Sequence, residues 1–368
     1  MEEHIEKEIL EDYVDILKKD EKKKSKMKKN TPFFKTIIKI LIGILISFLY
    51  QCKLSISYTL LGNYLNWNKL KLIISTCEFL IFFIFSSIIN KFKYKEFNII
   101  YLIISILYTI DSYIYYYGYS RNSFHFPNIA NIWTFIFLII YNLYKFRDKL
   151  ISLPQYFFYG IFLAILGNII QLLAAFFHIK ENGNDDFQFI FYYSDHRNNI
   201  LALISGLSSS LIYILMENNL KKDKKIKESL PHIAFYAFIL CLIITIFNGE
   251  FSYINSISII FQYMNLFHFF AMVIINIIFL LFTPYYIHTC SALSFGIICS
   301  MEMTFKLLNQ VIFYITERSS NIGVIFSLFF FIFGLGFIIF EIIKSNSDNE
   351  YENFKQKNKK DLKEKLIE

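Results

Sequence analysis

Residues 153–178, LPQYFFYGIFLAILGNIIQLLAAFFH, run for 26 positions without a charged side chain. A segment of roughly 18 or more apolar residues with few charges is typical of a helix that spans a membrane. Lipid offers no hydrogen-bond partner to the backbone, so the segment must satisfy its own backbone groups as a helix. The stretch therefore predicts a transmembrane helix, and the rest of the chain repeats its pattern.

The composition of the whole chain indicates the same class of protein. Of its 368 residues 55% are hydrophobic and 19% are aromatic, and the mean hydropathy is +0.43. One soluble core could not bury so much apolar surface. The net charge of +7 comes from short basic tracts between apolar runs, which membrane topology explains better than nucleic-acid binding does.

The apolar runs predict an all-α integral membrane protein with ten spans. The Lys-rich segments alternate with neutral or acidic ones, and this alternation places both charged tails in the cytosol. About thirty polar residues precede the first span, so we expect no cleaved signal peptide and a secretory-pathway, vacuolar or plasma membrane. The predicted spans are 36–55, 70–89, 97–117, 124–144, 153–178, 199–217, 231–248, 264–283, 287–315 and 322–343.

The longest predicted non-cytosolic loop, residues 179–198, divides the spans five and five. Because five is odd, the second set enters the membrane from the opposite side, which predicts an inverted repeat with a substrate site between the halves. The alternative is that the two halves have similar lengths by coincidence, since they show no obvious residue-level identity to each other. The predicted units are a charged tail (1–35), repeat 1 (36–178), the loop, repeat 2 (199–344) and a second charged tail (345–368).

The stretch SMEMTFKLLNQVIFY, residues 300–314, places two charged side chains inside the ninth span. Glu302 and Lys306 are one turn apart on one helix face, which Asn309 and Gln310 extend. A lone charge at the bilayer centre costs about 2.5–3.5 kcal/mol on insertion scales, so this face should point at the bundle interior or a wet cavity. The pair is either a substrate or coupling site or an inert lock between helices.

Other polar residues lie inside the predicted spans. Asp111 in the third span is a candidate for proton or substrate binding, and Glu78 in the second is better explained as a structural hydrogen-bonding partner. Asn128 and Asn131 in the fourth span and Gln171 in the fifth could line the same cavity. For each of these three taken alone, an ordinary interhelical hydrogen bond is the better explanation.

Motifs for an energy source or for catalysis are missing from the sequence. It has no Walker loop, no GxGxxG, no DxD and no paired nucleophile and base, so we expect neither an ATP-driven pump nor an enzyme with catalytic residues. The five cysteines are scattered without metal-ligand spacing, so we expect no metal site and no cofactor.

Four stretches together resemble the drug/metabolite transporter superfamily, most closely the F-type members of solute carrier family 35. They are HTCSALSFGIICSMEMTF (288–305), LYTIDSYIYYYGYS (107–120), LISGLSSSLIYILMENNLKK (203–222) and FGLGFIIFEIIKS (333–345). The resemblance covers roughly residues 36–344 and implies that Glu302 corresponds to the acidic residue of the family's ninth span. The chain departs from the family in its long loop and in Lys306.

Two functions therefore follow from the sequence. The first is a secondary transporter that moves a small organic metabolite or drug-like solute by alternating access, proton-coupled or as an exchanger. The alternative is a membrane receptor or scaffold that acts through residues 179–198 and the charged tails. The expected partners are a small-molecule substrate and the lipid bilayer, and a monomer or a homodimer would both suit ten helices.

Overall fold

The structure is a computed structural model that describes residues 32–64, 71–92, 98–121, 126–145, 155–181, 196–219, 223–253, 263–301 and 325–344. In these ranges the chain forms ten α-helices and one short 3-10 helix, Glu250–Tyr253, and no β-strand. The α-helices are α1 (Pro32–Tyr64), α2 (Lys71–Ile89), α3 (Ile99–Arg121), α4 (Phe126–Lys145), α5 (Gln155–Glu181), α6 (His196–Asn219), α7 (Asp223–Phe247), α8 (Tyr263–Thr289), α9 (Ala292–Ser300) and α10 (Ile325–Lys344).

Many of these helices are suited to lipid rather than water. Within the described ranges, five contain segments long and apolar enough to cross a membrane. Large hydrophobic side chains also point outward, among them Phe34, Phe247 and Phe267, which are 64%, 85% and 68% exposed. Lipid accommodates such a surface, whereas water does not. The chain is therefore an all-α membrane protein. The five segments are Leu72–Ile89, Ile200–Asn219, Glu228–Phe247, Phe270–Thr289 and Ile325–Lys344.

Helices from the first five (the N-terminal half) and the last five (the C-terminal half) interleave. α2 packs along α7, α4 lies against α6 and α9, and α3 contacts both α6 and α7. α1 packs against α8 and also contacts α9. α5 contacts α10, where the ring of Tyr156 stacks on that of Phe337 with centroids 5.9 Å apart. One buried apolar core draws side chains from both halves, so neither half buries its apolar surface by itself.

Glycines allow close backbone approach at two of these helix pairs. A Cβ added to Gly206 of α6 would lie 2.5 Å from Trp133 Cβ and 2.8 Å from the Ala130 carbonyl oxygen of α4. Gly160 of α5 and Gly334 of α10 face each other in the same way, since a Cβ on either would lie 2.8 Å from the other's carbonyl oxygen. Small residues at such crossings are what helix association in lipid favours.

The structure corrects two boundaries: α1 continues to Tyr64 where the first span was predicted to end at residue 55, and the turn between the predicted eighth and ninth spans moves. The segment TPYYIHT, residues 283–289, is predicted from the sequence to be a turn between spans eight and nine, but it forms the end of α8, with Pro284 inside the helix. Next to the proline, the hydroxyl of Thr283 donates to the Phe279 carbonyl one turn earlier, at 2.7 Å. The turn falls at Cys290 and Ser291, and the Ser291 side chain caps α9 by accepting from Ser294 N.

Candidate functional site: a polar cluster between the two halves

Asp111 lies where α3 of the N-terminal half meets α6 of the C-terminal half. Ser205 Oγ donates to one carboxylate oxygen at 2.6 Å, and Ser209 Oγ donates to the other at 3.0 Å. The two serines are one turn apart on α6, so both hydroxyls reach the same carboxylate. The two halves are thus joined by hydrogen bonds to a carboxylate inside the bundle.

The polar contacts continue from α6 to α9 and α4. Tyr213, one turn beyond Ser209, places its hydroxyl 3.8 Å from Cys299 Sγ and packs edge-on against the Phe295 ring. Asn131 Nδ2 of α4 donates to the Cys299 carbonyl at 3.2 Å. These contacts define what we call the Asp111 cluster, which consists of Asp111, Asn131, Ser205, Ser209, Tyr213 and Cys299.

Two of the site residues predicted from the sequence, Asp111 and Asn131, belong to this cluster: Asp111 binds serines of α6, and Asn131 binds the backbone of α9. Glu78 is buried in α2, which packs along α7, so it lies on a helix other than the four that carry the Asp111 cluster. Asn128 and Gln171 lie within α4 and α5, but their side chains are not among those that the structure describes.

Four predicted residues, Glu302, Lys306, Asn309 and Gln310, fall outside the described residues, as does most of the 179–198 loop. The described part of this segment ends at Met301, two residues after Cys299. Glu302 therefore follows directly on a backbone that contacts Asn131. How these four side chains relate to the Asp111 cluster stays a prediction.

The serines and Tyr213 were not among the site residues predicted from the sequence. Serines inside a membrane helix ordinarily bond their own backbone, as Ser210 does with the Leu207 carbonyl at 2.8 Å. The available signal was the spacing of Ser205, Ser209 and Tyr213, which puts all three on one face of α6. That spacing alone does not reveal that the face meets Asp111.

A second polar cluster joins helices at one end of the bundle. Glu217 of α6 accepts from Lys145 Nζ of α4 at 2.8 Å through Oε1, and from the Ala292 backbone N–H of α9 at 2.8 Å through Oε2. Nearby, Lys39 Nζ of α1 donates to the Thr289 carbonyl of α8 at 2.6 Å. We call this the basic end, because Lys-rich segments flank it. It is the end that the sequence predicts to be cytosolic.

The Asp111 cluster can hold a proton or a polar group by chemistry that its residues supply. A carboxylate accepts hydrogen bonds when ionised and donates one when protonated, and hydroxyl groups rotate to suit either state. Across the part of the chain that the structure describes, no group of three or more His, Cys, Asp or Glu side chains is arranged to hold a metal ion.

Comparison of the chain with models of known protein families finds no match, and comparison with curated proteins finds none either.

Proposed function

We propose that the protein is a secondary transporter of a small organic solute, which works by alternating access between its N-terminal and C-terminal halves. The solute site would be formed by the Asp111 cluster together with the segment that follows Met301, including Glu302. This proposal carries forward the sequence resemblance to the drug/metabolite transporter superfamily. It rests chiefly on the pattern of helix contacts.

Most of the helix contacts fall into pairs when each helix is exchanged with the one five places away in the chain, α1 with α6, α2 with α7 and so on. The α3–α6 contact then corresponds to α1–α8, α4–α6 corresponds to α1–α9, and α3–α7 corresponds to α2–α8; all six occur. The pairs α2–α7, α4–α9 and α5–α10 correspond to themselves, and all three are in contact. Two halves related by a twofold axis in the membrane plane would produce this pattern, as inverted-repeat transporters do.

Two glycines occupy corresponding places under the same exchange. Gly206 lies ten residues after the start of α6 and lets that helix approach α4. Gly43 lies eleven residues after the start of α1, and a Cβ there would lie 2.8 Å from Ile298 Cδ1 of α9. The exchange turns the α6–α4 pair into the α1–α9 pair. The proposed repeat would therefore account for a glycine at both helix contacts. This correspondence is not visible as sequence identity.

The position of the Asp111 cluster suits alternating access. Its carboxylate belongs to the N-terminal half and its serine donors belong to the C-terminal half, so relative motion of the halves changes the site. A carboxylate inside a membrane bundle is costly and is retained mainly where it has a role. The basic end would face the cytosol, with both termini on that side.

Uptake by reconstituted protein tests the proposal. Proteoliposomes would be loaded or bathed with a pooled metabolite library, with and without a pH gradient, and the solutes that move would be identified by mass spectrometry. We expect at least one solute to be moved by the native protein and much less by Asp111→Asn or Glu302→Gln. The proposal fails if the native protein moves nothing in either direction.

A control substitution on the same helix separates a site defect from misfolding. Ser105 of α3 is buried and donates to the Ile233 carbonyl of α7 at 2.9 Å, two turns from Asp111. Ser105→Ala removes a buried hydroxyl of α3 without touching the Asp111 cluster, so transport should persist. Equal loss in Ser105→Ala and Asp111→Asn would assign Asp111 a structural role.

A further inference from the structure

The two polar ties at the basic end connect the N-terminal half to the C-terminal half. Lys145 belongs to α4 and its partner Glu217 belongs to α6. Lys39 belongs to α1, and the Thr289 carbonyl that it binds is the last of α8. Close by, Asn218 Nδ2 of α6 donates to the Tyr141 hydroxyl of α4 at 2.8 Å. For the basic end to open, the halves must separate across these contacts.

Glu217 is the centre of these contacts because its two oxygens serve different helices. Oε1 binds the ammonium group of Lys145, and Oε2 accepts from the first N–H of α9. An anion at a helix N-terminus is favoured by the unpaired N–H groups and by the helix dipole. Glu217 is 16% exposed and Lys145 is 37% exposed, so the tie is shielded from water only in part and can be released.

The contacts of α6 break the exchange pattern described above. α6 contacts α9 at Glu217 and, one turn further from the basic end, at Tyr213, and it also contacts α8. The corresponding pairs, α1 with α4 and α1 with α3, are not in comparable contact among the described residues. The α6–α9 contact lies at the same end of the bundle as the ties of Glu217 and Lys39.

We propose that Glu217 is a gating residue, whose carboxylate holds the basic end closed by binding Lys145 of the N-terminal half and the start of α9. Release of these bonds opens the path from the Asp111 cluster to the basic end. This inference rests on the proposed function, since a gate has a role only in an alternating-access cycle. Lys39 acts beside it as a second, independent tie.

The protein carries a native probe of this gate. Cys290 lies between Thr289, whose carbonyl binds Lys39, and Ala292, whose N–H binds Glu217. It is only 3% exposed while the ties are made. When the basic end opens, the Cys290 thiol should become accessible to a bulky, hydrophilic maleimide.

The experiment is the rate of Cys290 labelling in purified full-length protein, read by peptide mass spectrometry so that each cysteine is followed separately. Lys145→Gln removes the ion pair and leaves Glu217 bonded to α9. Glu217→Ala removes both bonds. We expect labelling to rise about threefold in Lys145→Gln and about tenfold in Glu217→Ala, in line with an exposed ion pair and with the loss of a helix-capping acceptor.

Lys344→Gln provides the matched control. Lys344 is the last residue of α10 at the same end, and its ammonium lies 5.9 Å from the Tyr156 ring centroid. Lys145 has the same relation to Tyr141 at 5.8 Å. The two substitutions remove the same charge and the same type of ring contact, but only one of them affects Glu217. Lys344→Gln should leave Cys290 labelling unchanged.

A second reading separates opening of the gate from unfolding. Cys241 of α7 is fully buried away from the basic-end ties, with its thiol 3.8 Å from Thr109 Oγ1, and it should stay unlabelled in every variant. If Glu217→Ala exposes Cys241 as well, that variant has partly unfolded. Lys145→Gln, at a solvent-exposed position, then decides whether loss of the ion pair opens the basic end. The double variant Lys145→Gln, Glu217→Ala should label no faster than Glu217→Ala alone, because Glu217→Ala already removes the ion pair with Lys145.

Unchanged Cys290 labelling in Lys145→Gln and Glu217→Ala would overturn the gate, and so would an equal rise in Lys344→Gln. The assay uses no substrate, so its result is separate from the uptake test. If the variants label faster but the native protein moves no solute, the ties do close the basic end of the bundle, and the proposed transport is refuted. Transport with unchanged labelling would refute the gate alone.

Discussion

Gly206→Ala should destabilise the bundle, because this position leaves no room for a methyl group. The added Cβ would lie 2.5 Å from Trp133 Cβ and 2.8 Å from the Ala130 carbonyl oxygen. Carbon atoms in contact are about 3.5–4.0 Å apart, so α4 and α6 must separate by about 1 Å at this crossing. Backbone atoms form part of the obstacle, so a change of rotamer cannot relieve it.

The size of the effect follows from two opposing terms. Overpacking of this kind costs about 1–3 kcal/mol, while alanine in place of glycine inside a helix gains up to about 1 kcal/mol. The net loss should be about 1–2 kcal/mol, or about 1–3 °C in the midpoint of thermal unfolding for a chain of this size. The measurement is the fraction of monodisperse protein left in detergent after heating at a series of temperatures.

Gly336→Ala is the control for this prediction. Among the residues that the structure describes, its added Cβ would meet only Ile40 Cδ1, at 3.3 Å, and that methyl group at the end of a flexible side chain can move aside. The helix-propensity gain should therefore persist, and the midpoint should stay level or rise. A Gly206→Ala variant as stable as the native protein would refute the close α4–α6 approach, as would an equal loss in Gly336→Ala.

Two further predictions concern buried polar contacts. Glu250 is 7% exposed and accepts from the backbone N–H groups of Leu72 and Ile73 at 3.0 and 3.1 Å, so it caps the start of α2 from outside that helix. Glu250→Gln, which keeps an acceptor, should cost about 1 kcal/mol and Glu250→Ala about 2–3 kcal/mol in the same heating assay; an unchanged Ala variant would show that the cap does not contribute. The hydroxyls of Thr76 in α2 and Thr245 in α7 lie 3.1 Å apart, so a double-mutant cycle of Thr76→Val and Thr245→Val should yield a coupling of about 0.6 kcal/mol, and strict additivity would contradict a hydrogen bond.

The helices themselves were largely predictable from the sequence. The apolar run 153–178 has no charged side chain, and α5 covers Gln155–Glu181. Prediction works here because the membrane requires each segment to satisfy its backbone groups locally. The boundary at residues 283–289 was wrong, although proline removes a helical hydrogen bond and commonly marks a helix end. In this bundle the helix continues past the proline to Thr289.

The candidate site was predictable only in part. Asp111 and Asn131 stand out as polar residues within apolar runs, so the sequence identifies these two residues but not the residues that they contact. The serine donors stand 94 and 98 positions away from Asp111 along the chain. Serine is common in membrane helices, and nothing local distinguishes a serine that binds its own helix from one that binds a carboxylate on another.

The sequence by itself determined that the chain is an all-α membrane protein, since hydrophobic length and backbone satisfaction are properties of each segment taken alone. Only the tertiary structure decided which faces meet: that α6 presents Ser205 and Ser209 to Asp111, and that Glu217 joins α4 to the start of α9. These contacts depend on how helices cross, and the crossings depend on where glycines such as Gly206 let two backbones approach. Packing in lipid depends on close fit between helices, because lipid tails are as apolar as the side chains they surround. That fit is a property of pairs of helices distant in sequence, so hydrophobic pattern alone does not reveal it.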